Sequence, residues 1–315
     1  KNFKQRYPSL LDPTKAKIEI GVTPKIRTEQ TADAFLQGIK ETVIKQKSGA
    51  EDSGIESDES SSDESEEQGV RLEKPKLVKE LRISSSMQSL IKRVNKRLGF
   101  GVDNELDAKQ LRHIVRACYF EFALFGQNSG WCSVLGDEEI RILEYLDDIE
   151  DYYEDAYGRD INGKQTCPLI GDLFAKVKQS VDKPKELKTH LQFTHAGVMK
   201  RLYSGLGLFD HLSNEMDSKT LAFIKSDESV CLGDNRKWKS SLICPFSANF
   251  AAILYKCKDS KSDDKKYGKY KLLTLVQEKP VIIKGCDSYL CSVDKFIESF
   301  QQMTSNCDLK EICRI

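Results

Sequence analysis

A histidine closes the short apolar run Leu191-Gln192-Phe193-Thr194-His195-Ala196-Gly197. The run reads as a strand, and Val198, Leu202 and Leu206 follow it at helical spacing. A strand-to-helix junction puts a side chain at the carboxyl end of a sheet, where α/β proteins bind ligands. An imidazole there can hold an anion or move a proton near neutral pH. The same pattern fits a histidine that only caps a strand. Arg27 occupies a comparable place. It lies in Thr23-Pro24-Lys25-Ile26-Arg27-Thr28-Glu29, a predicted loop after the predicted strand Ile18-Glu19-Ile20-Gly21-Val22. A guanidinium offers two parallel hydrogen bonds to phosphate oxygens. A helix N-terminus after His195 would add N–H groups and partial positive charge. Arg27 and His195 could therefore share one phosphate. A solvated loop charge is the other reading of Arg27.

The elements that must position these residues are coarse but readable. Thr31 to Ile44 carries a helical pattern through Ala34, Phe35, Ile39 and Val43. From Glu51 to Glu67 nearly every residue is Asp, Glu or Ser. Such a segment buries too little apolar surface to offset its ordering entropy, so a disordered insert is expected over 48–74. Residues 75–164 read as a helical subdomain. Met87, Leu90, Ile91 and Val94 share one face; Leu111, Ile114, Val115, Cys118 and Phe122 share a second; Ile140, Leu143, Leu146 and Ile149 share a third. Strands are expected at Leu191–Phe193, Leu242–Pro245, Ala251–Tyr255 and Tyr270–Gln277. Helices are expected at Leu169–Val177, Met199–Leu206 and Val293–Met303. Strands at both ends with helices between predict an α/β domain over 1–47 and 165–315 that holds a helical insertion.

Composition narrows the function classes. The chain has 315 residues, is 39% hydrophobic and carries a formal net charge of zero. No global field favours nucleic acid. No apolar run is long enough to span a bilayer. The first residues, Lys1-Asn2-Phe3-Lys4, match neither a signal peptide nor an initiation site, and are read as an internal cut. The ten cysteines include no CxxC pair, and only four histidines are present, so zinc is not expected. Disulfides in an oxidising compartment fit better, with Cys307–Cys313 as a candidate loop closure and Cys132 beside Trp131 at a turn. Buried free thiols in a cytosolic protein are the alternative.

Several segments, in order, resemble the histidine acid phosphatases, in particular the multiple inositol polyphosphate phosphatase branch. Pro24 to Gly38 looks like that family's second arginine segment. Gly130-Trp131-Cys132, the helix ending Leu143-Glu144-Tyr145-Leu146-Asp147-Asp148, and Tyr157-Gly158-Arg159-Asp160-Ile161-Asn162 look like its helical-domain segments. Leu191 to Gly197 looks like its second histidine motif. Asn235-Arg236-Lys237-Trp238, Cys244 to Asn249 and Leu254-Tyr255-Lys256-Cys257 look like its late strand pair. The resemblance implies a phosphoglycerate mutase-like sheet domain flanked by helices. It implies metal-free, cofactor-free hydrolysis of inositol polyphosphates such as phytate, and sometimes bisphosphoglycerate. A histidine in an Arg-His-Gly-x-Arg-x-Pro motif forms a phosphohistidine that water later cleaves. It also implies a secreted or endoplasmic reticulum location.

Carried over residue by residue, Arg27 matches the phosphate-holding arginine and His195 matches the second histidine. No Arg-His-Gly occurs in the sequence, and the nucleophile is expected upstream of Lys1. The proton-donor position, a glutamate in this branch, is Gly197. Asp210 lies a helix away, while His113 and His190 fit no nucleophile motif and are read as surface or structural residues. Losing a general acid costs roughly 10²–10⁴ in rate, so negligible activity is expected of these residues alone. The competing reading is an impaired pseudophosphatase that binds phosphorylated ligands or protein partners. Asp52-Ser53-Gly54-Ile55-Glu56-Ser57 resembles a phosphodegron, and Ser57, Ser62 and Ser65 have acidophilic-kinase spacing. Ser53, Ser57, Ser62 and Ser65 are thus candidate phosphosites, against the plainer reading of a solvated acidic loop.

Overall fold

A computed structural model of the chain describes residues 17–39, 44–45, 76–127, 130–184, 189–209, 238–258 and 267–314. In chain order the elements are β1 (Ile18–Val22), α1 (Ile26–Ile39), β2 (Ile44–Lys45), α2 (Lys76–Arg82), α3 (Ser85–Leu98), α4 (Ala108–Phe125), α5 (Gly130–Ser133) and α6 (Asp137–Asp155). Then come α7 (Asp160–Lys164), α8 (Cys167–Asp182), β3 (Thr189–Phe193), α9 (Ala196–Gly205), α10 (Ser240–Ile243), β4 (Phe250–Lys256), β5 (Tyr270–Val276), β6 (Lys279–Pro280), β7 (Leu290–Ser292), α11 (Val293–Ser305) and α12 (Leu309–Ile312). The fold is mixed α/β and divides into two compact units. One comprises 1–66, 161–208 and 249–315; the other comprises 67–160 and 209–248.

The first unit carries both sheets. β1 lies between β2 and β3, and both pairings are parallel. Ile18 and Ile20 alternate inward, as a strand with one buried face requires. α1 covers this sheet through buried Thr28 and Ala32 and an edge-on contact of Phe35 with Phe193, ring centroids 5.6 Å apart. In the second sheet β5 is central. It pairs antiparallel with β4 on one side and with β6 and β7 on the other. The two-residue β5–β6 turn puts Gln277 (φ 49°) and Glu278 (φ 61°) in the left-handed region, a type I′ pattern that matches strand twist. α8 packs on α11 through Phe174 and Phe296, centroids 6.2 Å apart. The Cys167–Cys307 disulfide fastens the same pair.

The second unit is a helical cluster. Met87, Leu90 and Val94 of α3, Leu111 and Val115 of α4, and Leu143, Leu146 and Ile149 of α6 are buried together with Trp238. α3 starts where Ser84 Oγ accepts the Met87 N–H (3.2 Å) and stops at Gly99, whose φ is 74°. α4 opens on a reciprocal capping box between Asp107 and Gln110. Charged groups on α6 are buried but paired. Glu139 accepts from Arg97 (3.0 Å) and from the Gly136 N–H (2.6 Å), and Glu150 pairs with Arg82 and Arg112. Burial pushes the Glu139 carboxyl up, but these donors outweigh it and hold it below the usual range. The turn after α6 leaves no room at Gly158. A Cβ there would sit 2.6 Å from Tyr153 Cα.

Several expectations need correction. Cys307 pairs with Cys167 rather than Cys313, and Cys313 is exposed and outside any disulfide. Cys132 bonds to Cys118 from a helical turn, and Cys286 bonds to Cys291. Leu242–Pro245 is not a strand: Ser240–Ile243 is a helical turn whose Ser240 N–H donates to Asp148 Oδ1 (2.7 Å). The helix expected from Thr31 to Ile44 runs from Ile26 to Ile39, and Ile44 begins β2. Phe122 is 55% exposed rather than in the α4 core face. Trp238 and Ile243 belong to the helical core instead of the α/β domain. The acidic insert, its serines Ser53, Ser57, Ser62 and Ser65, Asp210, and residues 235–237 lie outside the described residues. No helix among the described residues is long and apolar enough to cross a membrane.

Candidate functional site

Parallel pairing brings the carboxyl ends of β1 and β3 side by side. The register runs from Ile18 opposite Thr189 to Val22 opposite Phe193. Adjacent strands lie about 4.8 Å apart, so the chain leaves both strands at one edge. Beyond Val22, the Thr23 N–H donates to Phe193 O (3.1 Å) and extends the ladder by one residue. From that edge β1 feeds α1 and β3 feeds α9.

Arg27 is the second residue of α1, not a loop residue. The helix begins early because the Lys25 carbonyl accepts the N–H groups of Thr28 (2.9 Å) and Glu29 (3.1 Å). The Thr28 hydroxyl is buried and lies 2.8 Å from both Thr23 O and Lys25 O. Arg27 is exposed on this first turn, where helix N–H groups point outward and the dipole favours anions. His195 is the N-cap of α9, half-buried, with extended backbone (φ −102°, ψ 163°). Its carbonyl accepts the Met199 N–H (3.1 Å), and its side chain makes no capping hydrogen bond. The imidazole is thus not consumed in starting the helix. Gly197 is the second residue of α9 and supplies no side chain.

Two helix N-termini, one carrying a guanidinium and one an imidazole, therefore arise from hydrogen-bonded neighbouring strands. That arrangement suits an oxyanion with several acceptor oxygens. Among the described residues no group of three or more His, Cys, Asp or Glu side chains could hold a metal. The residues that tie the two junctions together, Thr23, Thr28 and Thr194, were not anticipated. A signal was present: each strand is followed directly by a threonine, at Val22-Thr23 and Phe193-Thr194.

A second polar cluster lies at the opposite end of the same strands. Glu19 and His190 are register partners. His190 Nε2 is 2.8 Å from Asp172 Oδ2, Gln192 Nε2 donates to the same oxygen (2.8 Å), and Lys176 Nζ donates to Glu19 (2.7 Å). Burial raises the Asp172 carboxyl, but the His190 hydrogen bond and charge, with Lys176, outweigh it and hold it below the ordinary range. The cluster fastens α8 to the sheet, which gives His190 a structural place. His113 is exposed on α4.

Comparison with known proteins gives the family of the chain. The family model of the histidine phosphatase superfamily (branch 2) matches residues 1–272. The chain is 27% identical over 217 residues to multiple inositol polyphosphate phosphatase 1 of Gallus gallus, covering 67% of this chain and 45% of that one. It is 26% identical over 243 residues to the Homo sapiens protein of the same name, covering 76% and 47%. Phytase A of Aspergillus oryzae is 21% identical over 240 residues, covering 69% and 47%. The chain thus spans about half the length of the curated relatives it matches. The crystal structure of the phytase from D. castellii superposes with a TM-score of 0.67 at 16% identity, over 99% of this chain and 63% of that one. The match across residues 1–272, together with a shared fold, means that the chain belongs to the histidine phosphatase superfamily, branch 2.

Proposed function

We propose that this chain binds the phosphate groups of inositol polyphosphates, phytate among them, at the shared edge of β1 and β3. Bisphosphoglycerate is a second phosphomonoester of suitable chemistry. Arg27 and His195 are the anion-holding groups. The observation that carries this reading is the register that ends with Val22 opposite Phe193, each strand leading directly into one of the two residues. The names of the relatives, inositol polyphosphate phosphatases and a phytase, support the substrate class.

In this reading the Arg27 guanidinium donates two parallel N–H bonds to phosphate oxygens. His195 donates a third, and the first turn of α9 adds partial positive charge. These groups also match the charge that grows on the oxygens during phosphoryl transfer. The attacking histidine of the superfamily has no counterpart in these 315 residues, which contain no Arg-His-Gly. Gly197 offers no proton to a departing alkoxide, at a cost of roughly 10²–10⁴ in rate. These residues therefore hold phosphate but do not turn it over, and catalysis in an intact parent would need a nucleophile and a replacement acid. Gly197 favours a second reading, in which the chain is a pseudophosphatase serving as a phospho-ligand or protein-interaction module. Three disulfides among the described residues fit an oxidising compartment, and we place the protein in the secretory pathway.

Calorimetric titration with inositol hexakisphosphate tests the site. Arg27→Ala and His195→Ala should each weaken binding at least about tenfold, as expected for a lost charge-assisted hydrogen bond. Phosphate release should stay at the blank level. Equal affinity of the variants and wild type would overturn the site, and robust turnover would overturn the assignment of impaired chemistry.

A further inference from the structure

We propose that Thr23 is a positioning residue, whose hydroxyl locks the His195 junction to the Arg27 junction so that both can reach one phosphate. The proposal rests on the phosphate-site reading above. Thr23 Oγ1 lies 3.2 Å from Phe193 O and 3.3 Å from Thr194 Oγ1. A hydroxyl has one proton, and a carbonyl can only accept. The Thr23 O–H therefore donates to Phe193 O, and the Thr194 O–H donates to Thr23 Oγ1. Phe193 O also takes the Thr23 N–H (3.1 Å), which fills both of its lone pairs. On the other side, the buried Thr28 hydroxyl is 2.8 Å from Thr23 O.

The result is a run of three threonines from one helix start to the other: the Thr28 hydroxyl is shared between Thr23 O and Lys25 O (both 2.8 Å), and the Thr23 hydroxyl continues to Thr194. Thr28 is the neighbour of Arg27, and Thr194 is the neighbour of His195. The register ends at Val22 and Phe193, and the backbone ladder runs one bond further, from the Thr23 N–H to Phe193 O, before the chain enters two separate helices. Without a cross-link past that point, each first turn could shift independently. A binding constellation tolerates only about 0.5 Å of looseness before it loses affinity. Beyond its own N–H bond to Phe193 O, Thr23 supplies that cross-link with its side chain, which reaches Thr194 next to His195. β-Branching narrows its χ1 and holds the hydroxyl toward β3.

The test is a double-mutant cycle read by inositol hexakisphosphate binding to the whole chain. Thr23→Val keeps the shape and the backbone bond but removes the hydroxyl. It should weaken binding about three- to tenfold, the span of one neutral hydrogen bond. Thr23→Ser, which restores the hydroxyl, should return affinity to within about twofold of wild type. In a His195→Ala background, Thr23→Val should change affinity by less than about 1.5-fold, because the two act as one unit. A purely structural role would instead lower the melting temperature and cost the same factor in both backgrounds. If Thr23→Val does not fold, Thr194→Val deletes the Thr194–Thr23 hydroxyl bond but leaves the Thr23 bond to Phe193 O, and should weaken binding in the same direction by about twofold or more; wild-type affinity in that variant would overturn the positioning role. Wild-type affinity in Thr23→Val, alongside a weakened His195→Ala, would overturn the positioning role alone. Equal affinity of wild type and His195→Ala would remove the phosphate site, and the positioning role with it.

Discussion

Replacing Cys167 and Cys307 together by alanine removes a cross-link between residues 140 apart in sequence. A disulfide stabilises largely by restricting the unfolded chain, and the effect grows with the logarithm of the loop. For a 140-residue separation the loop entropy is about 17 cal/mol/K, or about 5 kcal/mol at 25 °C. The Cys118–Cys132 bond, with a separation of 14, gives about 3 kcal/mol, and Cys286–Cys291, with a separation of 5, gives about 2 kcal/mol. Domains have only about 5–15 kcal/mol in total, so the long bond alone can decide whether its unit stays folded. Cys167 is also buried at the start of α8, where loss of sulfur removes packing against α11. The assay is urea unfolding followed by far-ultraviolet circular dichroism, because both tryptophans lie in the other unit. With an m-value near 2–3 kcal/mol/M, the Cys167→Ala/Cys307→Ala midpoint should fall by about 2 M. The three double variants should rank in order of loop length. A long-loop variant that loses no more stability than Cys286→Ala/Cys291→Ala would refute the reasoning.

The acid limb of stability should depend on Asp172. Its folded pKa lies below the ordinary value, so its contribution is full above about 3.9 and disappears as pH falls through the depressed folded pKa. Asp172→Asn should be less stable than wild type at pH 6 and show a shallower fall toward acid; parallel profiles from urea midpoints would contradict this. Gly158→Ala should cost about 1–3 kcal/mol, since its Cβ would meet Tyr153 Cα at 2.6 Å and Tyr153 Cδ1 at 2.4 Å, and backbone cannot step aside. Thermal melting checks it, and an unchanged melting temperature would show that the turn can open.

How much of this was readable in the chain varies by element. The His195 junction was legible because Leu191–Phe193 and the following Val198 to Leu206 switch from strand to helix period within a few residues. The Arg27 helix start was not. Its first turn is polar, and Ile26 is 76% exposed, so the apolar rhythm begins only at Ala32 and hides the true N-terminus. Leu242–Pro245 failed for a different reason: an apolar run of four fits a strand or one helical turn equally well. The Gln277-Glu278 turn carries no glycine or asparagine to announce its positive φ. Cysteine spacing suggested Cys307–Cys313, but the packing of α8 on α11 brings Cys167 from far away, and no local rule contains that information. The Thr23–Thr194 contact joins residues 171 apart, so it appears only once β1 and β3 are in register.

The central claim is that Arg27 and His195 hold one anion. Its most direct measurement is a nuclear magnetic resonance titration with inorganic phosphate, following the Arg27 Nε–H and the His195 ring signals together. Both should shift along one saturation curve with a single dissociation constant, and Arg27→Ala should flatten the His195 response. A silent His195, or two curves with different constants, would contradict the claim.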